Sequence, residues 1–184
     1  MLAIIGGTGL ASEDTFTLKT KKNVITIYGE PSSELLLGEF DPEENNKGEK
    51  APIIFLSRHG FKHNIPPHKV NYRANIQALK DAGVTSIIAV NAVGGISDKM
   101  SPGTIVLPDQ IIDYSYGREH TFFADNLEQV THIDFSNPYT QSLIDKISQA
   151  AEKIKLDIIQ PATYACTQGP RLETSAEIKR LAND

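Results

Sequence analysis

The sequence predicts an α/β fold with a mixed, largely parallel central sheet flanked by helices. Short apolar runs (Ala3 to Ile5, Ile53 to Leu56, Ser86 to Val90) each empty into a glycine-bearing or polar loop. Those runs are continuous rather than alternating, the pattern of strands buried on both faces. Segments with helical spacing lie between and after them, which favours parallel strands joined by crossover helices.

Taken in order, Ala3-Ile4-Ile5 reads as a buried strand ending in the tight loop Gly6-Gly7-Thr8-Gly9. Val24 to Tyr28 and Glu34 to Phe40 are expected as two further strands, joined by the turn residues Gly29, Pro31 and Ser32. The hydrophilic stretch Asp41 to Lys50 reads as an exposed hairpin tip, because strand signals resume directly at Ile53. The run Ile53 to Leu56 leads into Ser57-Arg58-His59-Gly60, and a loop with Pro66-Pro67 follows. Ala74, Ile76, Ala78 and Leu79 give Tyr72 to Asp81 helical spacing, with Gly83 as its C-terminal stop. Ser86 to Val90 is a strand that opens into Asn91-Ala92-Val93-Gly94-Gly95, and Gly103 to Leu107 and Gln110 to Asp113 are two more around Pro108.

Tyr114 to Pro138 has no period and is long for a loop of a compact domain; loops of that length are usually functional or disordered, and this one is rich in aromatic and hydrogen-bonding side chains. Asn137-Pro138 is expected to open a helix with an apolar stripe at Leu143, Ile147, Ala150, Ala151 and Ile154. A last strand, Ala162 to Cys166, runs into Thr167-Gln168-Gly169-Pro170-Arg171, and Thr174 with Glu177 forms a capping-box pattern opening a final helix. No internal repeat breaks this series, and 184 residues fit one domain spanning 1–184.

Eighteen Lys and Arg against 23 Asp and Glu leave a formal charge of −5. Nucleic-acid binding draws its affinity from cations that neutralise phosphates, so nucleic acid is not an expected partner. Cys166 is the only cysteine and cannot close an intramolecular disulfide, which suits a reducing cytoplasmic compartment. Apolar runs such as Ile87 to Val90 fall far short of the roughly 20 residues of a membrane helix. Met1 to Ile5 lacks the basic region of a signal peptide, so a soluble cytoplasmic protein is expected.

Three strand ends carry anion-binding character. Gly6-Gly7-Thr8-Gly9 offers backbone N–H groups and a hydroxyl, Arg58-His59 a forked cation beside a second donor, and Asn91-Ala92 an amide side chain in a small-residue turn. Ligands of open parallel sheets sit outside the carboxyl ends of the strands, so the three loops could converge on one compact oxyanion such as phosphate. Each piece alone is ordinary: glycine turns abound, and an arginine is as often an ion-pair partner. Gly7 to Ser12 matches only the start of a dinucleotide fingerprint, and no Lys-Ser or Lys-Thr follows as in a nucleotide-triphosphate loop. His59, His63 and His68 fit no single helical face and have no carboxylate or cysteine to complete a set, so no metal site is expected. Arg118, Glu119, His120 and His132 in the long loop suit either a small polar ligand, a subunit interface or the loop's own hydrogen bonds.

Read together, Ile4 to Leu10, Ser57 to Gly60, Pro67 to Asn75 (PHKVNYRAN), Asn91 to Ile96 (NAVGGI) and Gln168 to Arg171 resemble the trimeric purine nucleoside and methylthioadenosine phosphorylase family, in order and over essentially the whole chain. Gly117 to Thr121 (GREHT), Val130 to Phe135 (VTHIDF) and Tyr164 to Thr174 (YACTQGPRLET) are most similar to its bacterial branch that acts on S-methyl-5'-thioinosine, a 6-oxopurine nucleoside. The resemblance implies phosphorolysis of that nucleoside to hypoxanthine and 5-methylthioribose 1-phosphate, with inorganic phosphate as co-substrate and no cofactor. It assigns phosphate to Thr8, Arg58, His59, Asn91 and Ala92, and the nucleoside to Val93, Gly94, Leu172, Glu173 and His132. It also implies a homotrimer in which His132 reaches a neighbouring subunit's site.

Three features depart from the family's pattern. Asn91 stands where many methylthioadenosine phosphorylases carry threonine, and Leu172 replaces an aromatic residue that commonly stacks on the base. Family members also continue past the position of Asp184 with further strands and a closing helix. The group that protonates the departing base is therefore expected beyond Asp184, and this chain alone is expected to be crippled in turnover. Methylthioadenosine or 6-oxopurine (inosine or guanosine) phosphorolysis, or an inactive remnant that still binds phosphate or nucleoside, are the competing readings. Hydrolytic nucleosidases have no need of the Arg58-His59 pair.

Overall fold

The computed structural model describes residues 1–7, 16–40, 50–125 and 127–184. They divide into two compact units, one of Met1–Ala92 with Gly117–Ala124 and one of Val93–Tyr116 with Asp125–Asp184.

The first unit is built on five strands: β1 (Leu2–Gly6), β2 (Thr17–Lys22), β3 (Leu35–Phe40), β4 (Ala51–Ser57) and, after helix α1 (Tyr72–Asp81), β5 (Ser86–Ala89). Their order across the sheet is β2-β3-β4-β1-β5. β1 runs parallel to both neighbours, with Ile4 opposite Phe55 on one side and Ile88 on the other. β2 and β3 are antiparallel additions at the far edge, so the sheet is mixed with a parallel centre, as expected.

Two of the three continuous apolar runs are core: Ala3, Ile54 and Leu56, with Leu35 of β3, are buried against Ala78 and Leu79 of α1, whereas β5 is an edge strand of the described sheet and has no buried residue. Burying side chains of this size stabilises by roughly 1.5–3 kcal/mol each for the larger ones. Helix α1 starts at the residue expected because Asn71 caps it, accepting from the Ala74 amide at 3.1 Å. It stops before Gly83, whose φ of +81° is the left-handed conformation that glycine tolerates. Asn75, 3% exposed, ties down the loop before β3, accepting from the Ser32 amide at 2.7 Å and donating to Ser32 Oγ at 3.0 Å.

Several boundaries differ from expectation. Val24 to Tyr28 is a tight turn rather than a strand: Thr26 and Gly29 exchange backbone hydrogen bonds at 2.9 and 3.0 Å, and Gly29 has φ +94°. The strand of that region is β2, whose sequence TLKTKK is almost wholly exposed and so carries no apolar signal. The flanks of the Asp41 to Lys50 stretch do pair antiparallel, Phe40 with Ala51, while residues 41–49 lie outside the described set.

The second unit holds β6 (Ile105–Val106), β7 (Gln110–Asp113), α2 (Gln141–Lys153), β8 (Ile158–Ile159), β9 (Thr163–Cys166) and α3 (Ser175–Leu181). β6 pairs with β8 and β7 with β9, both parallel. α2 begins at Gln141 behind Thr140 rather than at Asn137-Pro138. Its stripe is narrower than expected: Ala151 is buried and Leu143 and Ile147 are half-buried, but Ala150 is exposed and Ile154 is 71% exposed. Ile154 sits at the C-terminal cap, past the last full turn, where the helical period no longer points it inward. Among the described residues no helix is long and apolar enough to cross a membrane.

Candidate phosphate and nucleoside site

Parallel pairing brings the first unit's three polar loops to one edge. Gly6 is opposite Ser57 and Ile5 is opposite Ala89, so β4, β1 and β5 end side by side. The ladder continues one residue into each loop, with the Arg58 amide donating to Gly6 O at 3.1 Å and the Val90 amide to Ile5 O at 2.9 Å. Among the described residues, a Cβ built on Gly7 would meet nothing within 4 Å. Thr8, the next residue, lies outside the described set.

The Ser57-Arg58-His59-Gly60 turn is held rigidly. Ser57, fully buried, donates from Oγ to Gly60 O at 3.1 Å, and the Gly60 amide returns to Ser57 O at 3.1 Å. Gly60 has φ +72°, closed to most side chains. From this turn the half-buried Arg58 reaches across to the third loop, where Nη1 donates to Val90 O at 2.8 Å. Arg58 Nε donates to His59 Nε2 at 3.1 Å, so that nitrogen is the acceptor and Nδ1 carries the proton that goes to Ile65 O at 2.8 Å. The imidazole thus stands behind the guanidinium and aims it along the row of strand ends. Asn91 and Ala92 follow Val90 as exposed residues at this same edge. A guanidinium fork at the ends of parallel strands suits a compact oxyanion in charge.

The remaining predicted residues lie in the second unit. Val93 and Gly94 open it, both exposed, and a Cβ on Gly94 would meet nothing within 4 Å. Leu172 is 85% exposed and Glu173 half-buried, on a turn that follows the cis Gly169–Pro170 peptide. His132 is exposed on the long loop, two residues before Asp134. Asp134 accepts from the Ser136 amide at 3.0 Å and from its hydroxyl at 2.7 Å, which holds its carboxyl below the usual range. Arg171 pairs with Glu177, and Glu177 and Thr174 cap α3 reciprocally. Arg171 and the Thr174 amide pull the Glu177 carboxyl down to about 2.

Sequence reasoning missed how the long loop is tied down. Arg118 Nη1 donates to Tyr72 Oη at 2.9 Å and lies 5.5 Å over its ring, while Arg73 Nη2 pairs with Glu119 at 3.1 Å. Phe122 meets Tyr28 edge-on at 5.4 Å, and the Arg73 guanidinium lies over the Tyr28 ring at 5.1 Å. Arg118 and Glu119 are therefore committed to the first turn of α1. The signal available was the reciprocal order of the pairs Tyr72-Arg73 and Arg118-Glu119. His59 and His63 rings lie 5.0 Å apart, and among the described residues no three His, Cys, Asp or Glu side chains gather as a metal-ligand group.

The model of the phosphorylase superfamily matches residues 2–184. A "Probable S-methyl-5'-thioinosine phosphorylase" of Pseudomonas syringae pv. tomato is 49% identical over 182 residues, covering 99% of this chain and 71% of the relative. A "Probable 6-oxopurine nucleoside phosphorylase" of Dictyoglomus turgidum is 41% identical over 178 residues, 97% of this chain and 64% of the relative. Among solved structures, a methylthioadenosine phosphorylase from an antarctic soil metagenomic library superposes with a TM-score of 0.88 at 36% identity, covering 99% of this chain and 61% of that one.

Proposed function

This chain belongs to the phosphorylase superfamily, and we propose that within it residues 1–184 form one nucleoside phosphorylase domain acting on purine nucleosides, S-methyl-5'-thioinosine foremost. Inorganic phosphate is the co-substrate and no cofactor takes part. A phosphate oxygen forms the bond to C1' as the C1'–N9 bond breaks, and the bonding pair leaves with the base. The products are 5-methylthioribose 1-phosphate and, after the purine takes up a proton, hypoxanthine.

One observation carries the reading. Three parallel strand ends lie side by side, and Arg58 spans from the second to the third with its Nη1 2.8 Å from Val90 O. Thr8, Arg58, His59, Asn91 and Ala92 hold the phosphate in this proposal. Arg58 keeps the dianion in attacking range, and the dianion stabilises the positive charge that builds on the sugar. Val93, Gly94, Leu172, Glu173 and His132 face the nucleoside. The assembly is a homotrimer in which His132 reaches the neighbouring subunit's site, and the compartment is the cytoplasm. The thioinosine preference draws support from the 49% identical relative's name. The similarity to a solved methylthioadenosine phosphorylase favours a second reading, in which the 6-amino base is taken.

Calorimetric titration of this chain with phosphate and with S-methyl-5'-thioinosine, beside chromatographic assay of base release, tests the proposal. Both ligands should bind, and release should require phosphate and yield the sugar 1-phosphate. Release in phosphate-free buffer would make the protein a hydrolase, and failure to bind either ligand would remove the proposal. Comparing the thioinosine and thioadenosine substrates separates the two base preferences.

A further inference from the structure

We propose that Arg171 is a positioning residue for the nucleoside, clamping the turn that presents Leu172 and Glu173. The proposal rests on the reading of those two residues as nucleoside-facing. The Arg171 guanidinium makes a two-pronged pair with Glu177, Nη1 to Oε2 at 2.9 Å and Nη2 to Oε1 at 2.8 Å. The same Nη1 donates to Leu172 O at 2.9 Å. Glu177 Oε2 also accepts the Thr174 amide at 2.6 Å, and the Glu177 amide returns to Thr174 Oγ1 at 3.2 Å. Backbone groups on both sides of Glu173 are thus fixed through one carboxylate and one guanidinium.

Such rigidity is out of proportion to what the turn stabilises. Arg171 and Glu177 side chains are 66% and 43% exposed, and exposed ion pairs add little to stability. Leu172, the residue inside the clamp, is 85% exposed and contributes nothing to the core. A leucine held out by a pinned backbone is arranged for contact with something that arrives. Leu172 lacks the flat ring by which an aromatic side chain would grip a base over a range of positions. Its contact therefore depends on where the backbone sets it, which is what the clamp determines. Lysine would keep the charge of Arg171 but not the fork that reaches Glu177 and Leu172 O together.

The experiment compares the wild-type chain with Arg171→Lys, Arg171→Met and Glu177→Gln. It reads calorimetric affinity for S-methyl-5'-thioinosine and for inorganic phosphate, and hydrogen exchange at the Thr174 amide. The Arg171 variants should weaken nucleoside binding by about tenfold, equivalent to ~1.4 kcal/mol, with phosphate affinity unchanged. Glu177→Gln retains an oxygen for the Thr174 amide, so it should keep that amide protected yet weaken nucleoside binding like the Arg171 variants. Wild-type nucleoside affinity in Arg171→Met and Glu177→Gln would overturn the positioning role while leaving the phosphorylase reading intact. A wild-type chain that binds phosphate but no purine nucleoside would instead overturn the nucleoside reading, and the role of Arg171 with it.

Discussion

Arg58 Nη1 donates to the carbonyl oxygen of Val90 at 2.8 Å, although 32 residues separate them. The bond joins the loop after β4 to the loop after β5 across the end of β1, and it points a cation along the only edge where three parallel strands finish together among the described residues. Neutral carbonyl and charged guanidinium make a bond that a phosphate dianion can outcompete, since an ion–ion pair exceeds an ion–dipole one at equal distance.

Arg58→Ala should cut phosphate affinity about a hundredfold, because a charge-assisted hydrogen-bonding pair is worth roughly 1.5–3 kcal/mol per bond. Arg58→Lys should recover part of it, as charge survives and the fork does not. Isothermal titration with phosphate measures both, and equal affinities in wild type and Arg58→Ala would displace the phosphate from this edge.

Core and rim of the helices should respond unequally. Leu79→Ala removes a fully buried side chain and should cost about 2–5 kcal/mol. Ile154→Ala, at a residue 71% exposed, should stay within about 0.5 kcal/mol of wild type. Urea unfolding of the two variants distinguishes them, and similar losses would put Ile154 in the core after all.

The Arg73–Glu119 pair should be asymmetric. Arg73 is 19% exposed in its side chain and Glu119 72%, and Arg73 also covers the Tyr28 ring and approaches Thr121 O at 3.5 Å. Arg73→Ala is expected to destabilise by about 1–3 kcal/mol through lost packing and polar contacts, and Glu119→Ala by less than about 1 kcal/mol. A double-mutant cycle in low and high salt gives the coupling directly. The loss from Glu119→Ala should shrink as salt rises.

Acid should weaken the cap of α3. Hydrogen bonds from Arg171 and the Thr174 amide depress the Glu177 carboxyl from about 4.5 to about 2. A depressed carboxyl stabilises the folded state fully above its unfolded value, and that contribution fades as pH falls from about 4.5 through about 2. Glu177→Gln should therefore flatten the pH dependence of thermal unfolding in this window and leave it unchanged near neutrality. Superimposable curves for the two proteins would show that the carboxylate does not sense folding.

The sequence by itself determined the features whose causes are local. Thr174 could be read as a helix start because with Glu177 it forms a capping pattern, and its side chain does accept from the Glu177 amide. The runs at Ala3 and Ile53 could be read as parallel core strands because burial on both faces demands continuous apolar sequence, while the Ser86 run pairs parallel but has no buried residue. β2 was not legible, since an exposed edge strand of Thr, Lys and one Leu needs no apolar pattern. Only the tertiary structure decided that Val90 O meets Arg58, that Ile65 O sets the His59 tautomer, and that Tyr72 and Arg73 hold Arg118 and Glu119, 46 residues further along the chain. Backbone carbonyls are the same at every position along a chain. Which of them a guanidinium meets is settled by strand order and crossover, long-range quantities that no window of residues contains.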